Sequence, residues 1–559
     1  MKVGMYLAYN PPSKTISLKQ EGLGRYVSFL IKAFIANDDS VVIACPDWLV
    51  ETMYELFEQE SIDKSRVEMI LPQNAPLIYK IYVKFNNREK KRRKSKKYFA
   101  KAALKITDKF LDLIIGIKNI IELVCFIFLL GLLGIIALPF VLVGAIVLTL
   151  LITILKIVKG NSKFSIKSVL KKIYFSLLNN GHIKSFYYYI KNRYSTFNIT
   201  KFIREKSAFE IIRRINSMKE PADIWYCPMA FWPEFNNIKG TKVVCAPDIV
   251  TSEFPFNFST FKASISTNEV KKTIEGGTYY ITYCEYLRKT LVIEQFVRNP
   301  KYVVAIPHGP NDMKHFIDVN SYYSKNNGWT DCNIAYCRKF ILPTIVSHSV
   351  KMNDFLNAGK GFSFDDVQYI FYSSQLRGNK NIFTLIKAYD YLKKKKDIHI
   401  KLFLTCMITN DSDIWNYILD NNLQNDILCF HSVTNQQLAA LYACSLLSVN
   451  PTLYEGGFPF TFSEGMSVGT PSIFGNIPQV VQEFSGYDLD DCLFNPYDFK
   501  DLANKIEYGL NNRDLLYKKQ KVLFDKMCER DWQKVGREYI DAFNYFIKLD
   551  KTRVKNNEE

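Results

Sequence analysis

Four residues in the second half of the 559-residue chain could do chemistry together. The run YSSQLRGNKNIFTLIKAY, 372–389, places Arg377 and Lys380 in a loop between an apolar strand-like stretch and an amphipathic helix-like stretch. An arginine grips two phosphate oxygens at once and a lysine supplies a point charge. The carboxyl edge of a parallel sheet is where such sheets bind ligands. The run PTLYEGGFPFTFSEGMSVGTPSIF, 451–474, ends a strand-and-turn unit at Glu455 and sets Glu464 one turn into the next helix. Gly456 and Gly457 let the backbone pass close to a ligand. A carboxylate at Glu464 can accept two hydrogen bonds from ribose hydroxyls while the helix N-terminus faces phosphate. A basic pair alone is usually a solvated surface. Beside the dense glycine and glutamate motif it reads as a site for a diphosphate ester, whose growing charge on bond cleavage needs cations or a helix N-terminus.

Other chemistries find little support. None of the six histidines sits at metal-ligand spacing with another ligand. Asp411-Ser412-Asp413 precedes a helix and reads as an N-cap rather than a metal-binding Asp-x-Asp. No Gly-x-Ser-x-Gly elbow joins a strand to a helix, since the run Gly465-Met466-Ser467-Val468-Gly469 closes a helix-like stretch instead, and there is no P-loop. Its twelve cysteines include no Cys-x-x-Cys pair and read as free thiols in a reducing compartment. The N-terminal MKVGMYLAYN lacks the apolar run of a signal peptide and reads as a strand.

The elements that must position the four residues alternate regularly. The length suits about three to four domains. Val3–Tyr9 reads as a buried strand, EGLGRY at 21–26 as a glycine loop, the run through Ala36 as a helix, and Val41–Ala44 as a second strand. Strand signals resume at Ile224–Cys227, Lys242–Cys245, Tyr279–Tyr283 and Tyr302–Ile306. The second half continues with strands at Val367–Tyr372, His399–Thr405, Ile427–Phe430, Leu446–Asn450 and Ser472–Phe474. Helices are expected at Asn381–Lys394, Asn435–Ala443 and Thr461–Val468. Strands alternating with helices specify two α/β domains with parallel sheets. The polar end, Lys551–Glu559, is expected to fray.

Between the two parts of the first domain lies a segment of different character. Arg88–Arg204 holds 23 Lys/Arg against 4 Asp/Glu, so it carries essentially all of the chain's net charge of +18. Charge so far from the motifs speaks against a nucleic-acid enzyme. Its centre, Leu123–Leu155, is 33 residues without a charge and contains Pro139, where about 20 suffice for one helical crossing. Both flanks are basic, and both adjoining parts belong to one domain. The positive-inside rule then places both flanks in the cytoplasm, and the centre reads as a helical hairpin or re-entrant pair.

The chain resembles glycosyltransferase family 4, retaining enzymes of the two-domain GT-B fold. The Glu-x7-Glu element of that family is matched by EGGFPFTFSEGMSVGTP, from Phe458 onward most closely, with eight rather than seven residues between Glu455 and Glu464. The resemblance assigns the donor sugar to Glu455 and the nucleotide ribose to Glu464. Arg377 and Lys380 match the diphosphate-binding pair in its SQxRxxKN form. EGLGRY resembles the glycine loop near the donor phosphates, which implies Gly22 and Gly24. IPHGPND, 306–312, resembles an element at the end of the N-terminal domain. CAPDIV, 245–250, resembles the family's HD-containing strand end with Pro247 at the histidine position, leaving Asp248 as acceptor-side candidate.

The expectations are therefore two Rossmann-like domains facing across a cleft, with a hydrophobic membrane insert in the first. Residues 1–87 and 206–345 would form the N-terminal, acceptor-side domain, 88–205 the insert, 346–530 the donor-binding domain, and 531–559 a C-terminal helix and tail. The implied activity is metal-independent, retaining transfer of a hexose, with no cofactor. The donor is a nucleotide-sugar held by Gly22, Gly24, Arg377, Lys380, Glu455, Gly456, Gly457, Phe458 and Glu464. Catalysis falls to Arg377, Lys380, Glu455 and Asp248. The insert points to a lipid-linked or cell-surface glycan acceptor at the cytoplasmic face of the cell membrane. The rival readings are an inactive transferase-like membrane scaffold and a GT-B-fold nucleotide-sugar epimerase.

Overall fold

The computed structural model describes residues 1–11, 18, 22–72, 199–246, 260–319, 332–349, 362–408 and 412–558. The uncharged run Leu123–Leu155, both of its basic flanks up to residue 198, and Asp248 lie outside them. Among the described residues no helix is long and apolar enough to cross a membrane.

The first sheet has seven strands: β1 (Lys2–Tyr6), β2 (Ser40–Ala44), β3 (Val67–Ile70), β4 (Ile224–Cys227), β5 (Lys242–Cys245), β6 (Tyr279–Thr282) and β7 (Val303–Ala305). Their order is β3-β2-β1-β4-β5-β6-β7, with every pairing parallel. β4 and β6 are buried throughout, because helices cover both faces and leave no position for polar alternation. The helices of this domain include α1 (Gly22–Ala36), α2 (Val50–Gln59), α3 (Ile199–Asn216) and α4 (Thr260–Gly276). Strand order reverses between β1 and β4, a topological switch point.

The second sheet has six parallel strands: β8 (Tyr369–Tyr372), β9 (Lys401–Leu404), β10 (Ile427–Cys429), β11 (Leu447–Asn450), β12 (Ser472–Gly475) and β13 (Leu493–Phe494). The order β10-β9-β8-β11-β12-β13 puts its switch point between β8 and β11. Here the helices are α5 (Ile382–Lys395), α6 (Asp413–Asp420), α7 (Asn435–Ala443), α8 (Phe460–Ser467), α9 (Pro478–Phe484), α10 (Phe499–Asn511) and α11 (Arg513–Cys528). The last helix, α12 (Trp532–Glu558), returns to the first domain. Its Val535, Tyr539, Phe543 and Phe546 are buried in the first domain's core.

Three expectations shift at their edges. α3 begins at Ile199, so the last residues assigned to the insert belong to a helix of the first domain. Arg204, counted with the basic flank, is 3% exposed and bonds Glu234 at 2.9 Å and Glu269 at 3.2 Å. Burial opposes its charge, but the two carboxylates outweigh that and raise its pKa. The boundary at 345 also moves. Met313, Ile317, Cys337, Ile341, Leu342 and Ile345 pack with Tyr369, Phe403 and Leu428 of the second sheet. Finally, α12 stays helical to Glu558, where the polar composition suggested fraying.

Candidate donor site

Both switch points open onto one cavity of about 1000 Å³. Every lining loop follows the carboxyl end of a strand, as expected for ligands of parallel sheets. From the first domain come Tyr9, Gly22, Arg25, Tyr26, Met229, Phe231, Tyr283 and His308. From the second come the loop after β8, including Ser373, Arg377 and Lys380, and the loop after β11, including Glu455, Gly456, Gly457, Phe458, Thr461 and Glu464.

The two loops of the second domain are tied to each other. Asn379 is buried between them. Its carbonyl accepts the Leu453 amide at 2.8 Å and its side-chain amide donates to the Tyr454 carbonyl at 3.3 Å. Asn381, in the left-handed region at φ 54°, opens α5 and donates to the carbonyls of Pro451 at 3.0 Å and Pro496 at 2.7 Å. An asparagine tolerates that conformation better than most residues. The result brings the Lys380 ammonium onto the Glu455 carboxylate, both partly buried. Arg377 is exposed on the cavity wall, and its guanidinium has no partner among the described residues.

α8 opens at Phe460, after Pro459, which gives it no side-chain cap. Its first amides therefore have no intrahelical partner, and Phe460 and Thr461 stand on the cavity wall. The Thr461 hydroxyl is buried without a hydrogen bond. Glu464, 1% exposed, is held on three sides. Asn311 donates its amide to Oε1 at 2.9 Å, Tyr442 donates its hydroxyl to Oε2 at 3.1 Å, and Arg25 pairs with Oε1 across the cleft. Burial, reinforced by Glu464, keeps the Tyr442 phenol protonated as a donor, its pKa well above the ordinary value.

The glycines divide by role. A Cβ at Gly24 would lie 2.0 Å from the Leu18 carbonyl oxygen, so this glycine permits close backbone packing beneath the turn that carries Arg25. A Cβ at Gly22 would meet nothing within 4 Å, and this residue faces the cavity. Gly457 was expected to admit a ligand; its Cβ would instead strike the Tyr283 side chain at 2.8 Å. It lets the two domains approach. Phe458 both touches the cavity and packs with Phe462, Phe474 and Phe484.

The structure thus gathers Gly22, Arg377, Lys380, Glu455, Gly456, Gly457, Phe458 and Glu464 around one space, with Gly24 just behind it. It adds Arg25, Asn311, Tyr442 and the uncapped end of α8. Arg25 and Asn311 lie inside EGLGRY and IPHGPND, so the motifs were the available signal; Tyr442 carried none. Among the described residues no group of three His, Cys, Asp or Glu is placed to share a metal ion.

Residues 356–523 match the family model described as glycosyl transferases group 1. No curated protein matches the sequence. Among solved structures, Anabaena HepE in complex with UDP and glucose aligns at a TM-score of 0.51 and 10% identity, covering 97% of this chain and 99% of that one. A glycosyltransferase from Rickettsia africae aligns at 0.49 and 12% identity, covering 98% of each chain. Sucrose-phosphate synthase from Thermosynechococcus elongatus aligns at 0.48 and 12% identity, covering 100% of this chain and 99% of that one. The likeness to HepE shows the fold: two parallel-sheet domains of GT-B type.

Proposed function

Given that the chain is a glycosyltransferase, with residues 356–523 matching group 1, we propose that it transfers a hexose from a nucleoside diphosphate sugar with retention of configuration and without a metal. The observation that carries this reading is the convergence of Arg377, Lys380 and the uncapped N-terminus of α8 on one cavity, with Glu464 beside them. The cations and helix amides hold the diphosphate and stabilise the charge that grows on it as the glycosidic bond breaks. Glu464 accepts the ribose hydroxyls. Glu455, oriented by Lys380, accepts from the donor sugar. Among the described residues these two glutamates are the carboxylates on the cavity wall, and both pair with cations. Departure on the front face, with the acceptor arriving on the side the leaving group vacates, suits that arrangement. Double displacement would need a free carboxylate nucleophile. Membership of family 4 accords with this reading, and Asp248 remains its acceptor-side candidate.

The acceptor we propose is lipid-linked or part of a cell-surface glycan, met at the cytoplasmic face of the membrane. The support is the uncharged run Leu123–Leu155 between basic flanks, which would attract anionic lipid.

A panel of nucleotide-sugars, UDP-sugars first, tests the donor reading in the presence of EDTA. Arg377→Ala and Lys380→Ala should each lower turnover by roughly two to three orders of magnitude while weakening donor binding less. Full activity in both variants, or strict dependence on added metal, would contradict it. The membrane part is tested by fractionation. The whole protein should resist extraction by salt, and deletion of 88–198, which spares α3 and Arg204, should release a soluble protein that still binds nucleotide. A deletion variant that stays with the membrane contradicts this part alone.

A further inference from the structure

The cleft compensates its own charge. Among the described residues of the cavity wall, Lys380 holds Glu455, Arg25 holds Glu464, and Arg377 is the cation left over. The Arg25–Glu464 pair is unlike the other in one respect: Arg25 stands in the first turn of α1, in the first domain, and Glu464 in α8, in the second.

A carboxylate offers about four acceptor positions, and Arg25, Asn311 and Tyr442 already occupy three on Glu464. Two ribose hydroxyls do not fit beside all of them. Asn311 and Tyr442 are fixed: Asn311 is held by its own amide on Ser463 at 2.9 Å, and Tyr442 is wholly buried. Arg25 is the partner with a long side chain, a side-chain exposure of 19%, and open cavity beside it. Its Nε is buried with no hydrogen bond, so the carboxylate does not satisfy the guanidinium. Its backbone cannot follow, because Gly24 is packed against the Leu18 carbonyl.

Resting on the donor reading above, we infer that Arg25 exchanges partners when the donor binds: the ribose hydroxyls take Glu464 from it, and the diphosphate receives its guanidinium. A half-buried arginine that leaves its carboxylate needs another anion, and the diphosphate brings one into the same cavity. The exchange makes the first domain a reader of the donor's phosphates, so that a bare nucleoside, which has none, must displace Arg25 without compensation.

The test compares a nucleoside with its diphosphate. Uridine and UDP, with the adenosine and guanosine pairs run alongside, are titrated calorimetrically into the full-length protein, Arg25→Met and Arg25→Lys. Arg25→Met keeps the apolar stem and removes the charge. It should bind the nucleoside several-fold more tightly and the diphosphate roughly ten- to a hundredfold more weakly, the scale of one lost hydrogen bond to a charged group. Arg25→Lys should recover part of the diphosphate affinity. Equal loss for nucleoside and diphosphate would reduce Arg25 to a structural contact, and unchanged affinities would remove it from the site. Should Arg25→Met not fold, the same affinity ratio is read from Arg25→Lys, where it should fall less but in the same direction. If the unchanged protein binds no pair, the donor reading itself fails, and the inference with it.

Discussion

The two cation–carboxylate pairs of the cleft are built in opposite ways. Lys380 and Glu455 belong to one domain, and the loops that carry them are bonded to each other through Asn379. Arg25 and Glu464 belong to different domains and meet because something holds the domains together. That holder is α12. Its Tyr539 hydroxyl bonds Tyr26, next to Arg25, at 2.7 Å, and its Trp532 indole bonds the Pro310 carbonyl, next to Asn311, at 2.9 Å. Just before it, Arg530 bonds the carbonyls of Pro307 at 2.7 Å and His308 at 3.2 Å. Half of the donor site is therefore preformed within one domain, while the other half depends on how the first domain is seated.

The sharpest way to separate the halves is to remove α12. Truncation after residue 531 exposes the sites of Val535, Tyr539, Phe543 and Phe546. At roughly 1.5–3 kcal/mol for each buried side chain, this removes roughly 6–12 kcal/mol, as much as the whole stability of a typical domain. The first domain should lose its melting transition and become open to protease, while residues 362–528 keep theirs. A single, unshifted transition would show that α12 is not the holder. Arg204→Met attacks the first domain alone. It leaves the buried Glu269 to Lys201 alone and the half-buried Glu234 without a cation among the described residues, and the expected loss is roughly 3–5 kcal/mol in a urea melt. A loss under about 1 kcal/mol, the scale of an exposed pair, would mean that water reaches this cluster.

The glycine turn beneath Arg25 gives a smaller, more selective test. Gly24→Ala forces a Cβ into the Leu18 backbone and should shift Arg25. Turnover should fall by roughly ten- to a hundredfold, the scale of about 1 Å of misplacement. Gly22→Ala has room and should leave the melting point unchanged, with its effect confined to the donor KM. The reverse ranking in thermal melts and initial rates would invalidate the packing read at this turn.

Much of this was legible in the sequence, for a physical reason. Most strands of both sheets are short apolar runs buried on both faces, and the residues at their carboxyl ends are contiguous with them. Arg377, Lys380, Glu455 and Glu464 therefore came into view with their elements. Arg25, Asn311 and Tyr442 converge on Glu464 from three separate elements, and only the tertiary fold brings them together. β3, Val-Glu-Met-Ile, was missed because its polar residue breaks the apolar run. Arg204 was misread because a basic residue beside a basic segment gives no sign of being buried among carboxylates. The seating role of α12 was not legible either, since a helix pattern names a buried face but not what covers it.

The smallest effect lies at the contact between the halves. His308, from the first domain, stacks on Phe460 of the second at 4.9 Å and 27° and packs against Tyr283 at 4.0 Å. Burial, with Arg530 nearby, depresses its pKa from the ordinary 6.5 to about 3. The folded protein therefore keeps this imidazole neutral in the window where the unfolded chain takes up a proton. Wherever the unfolded state binds more protons, stability rises with pH. His308 thus costs nothing above about pH 6.5 and destabilises progressively as the pH falls toward 3, by up to about 1.4 kcal/mol per unit. His308→Phe keeps a ring in the stack and removes the titration. Urea melts at steps from pH 7 to pH 4 should show a shallower loss of stability in the variant, the two curves converging at pH 7. Parallel slopes in the two proteins would show that the fold does not hold this imidazole neutral.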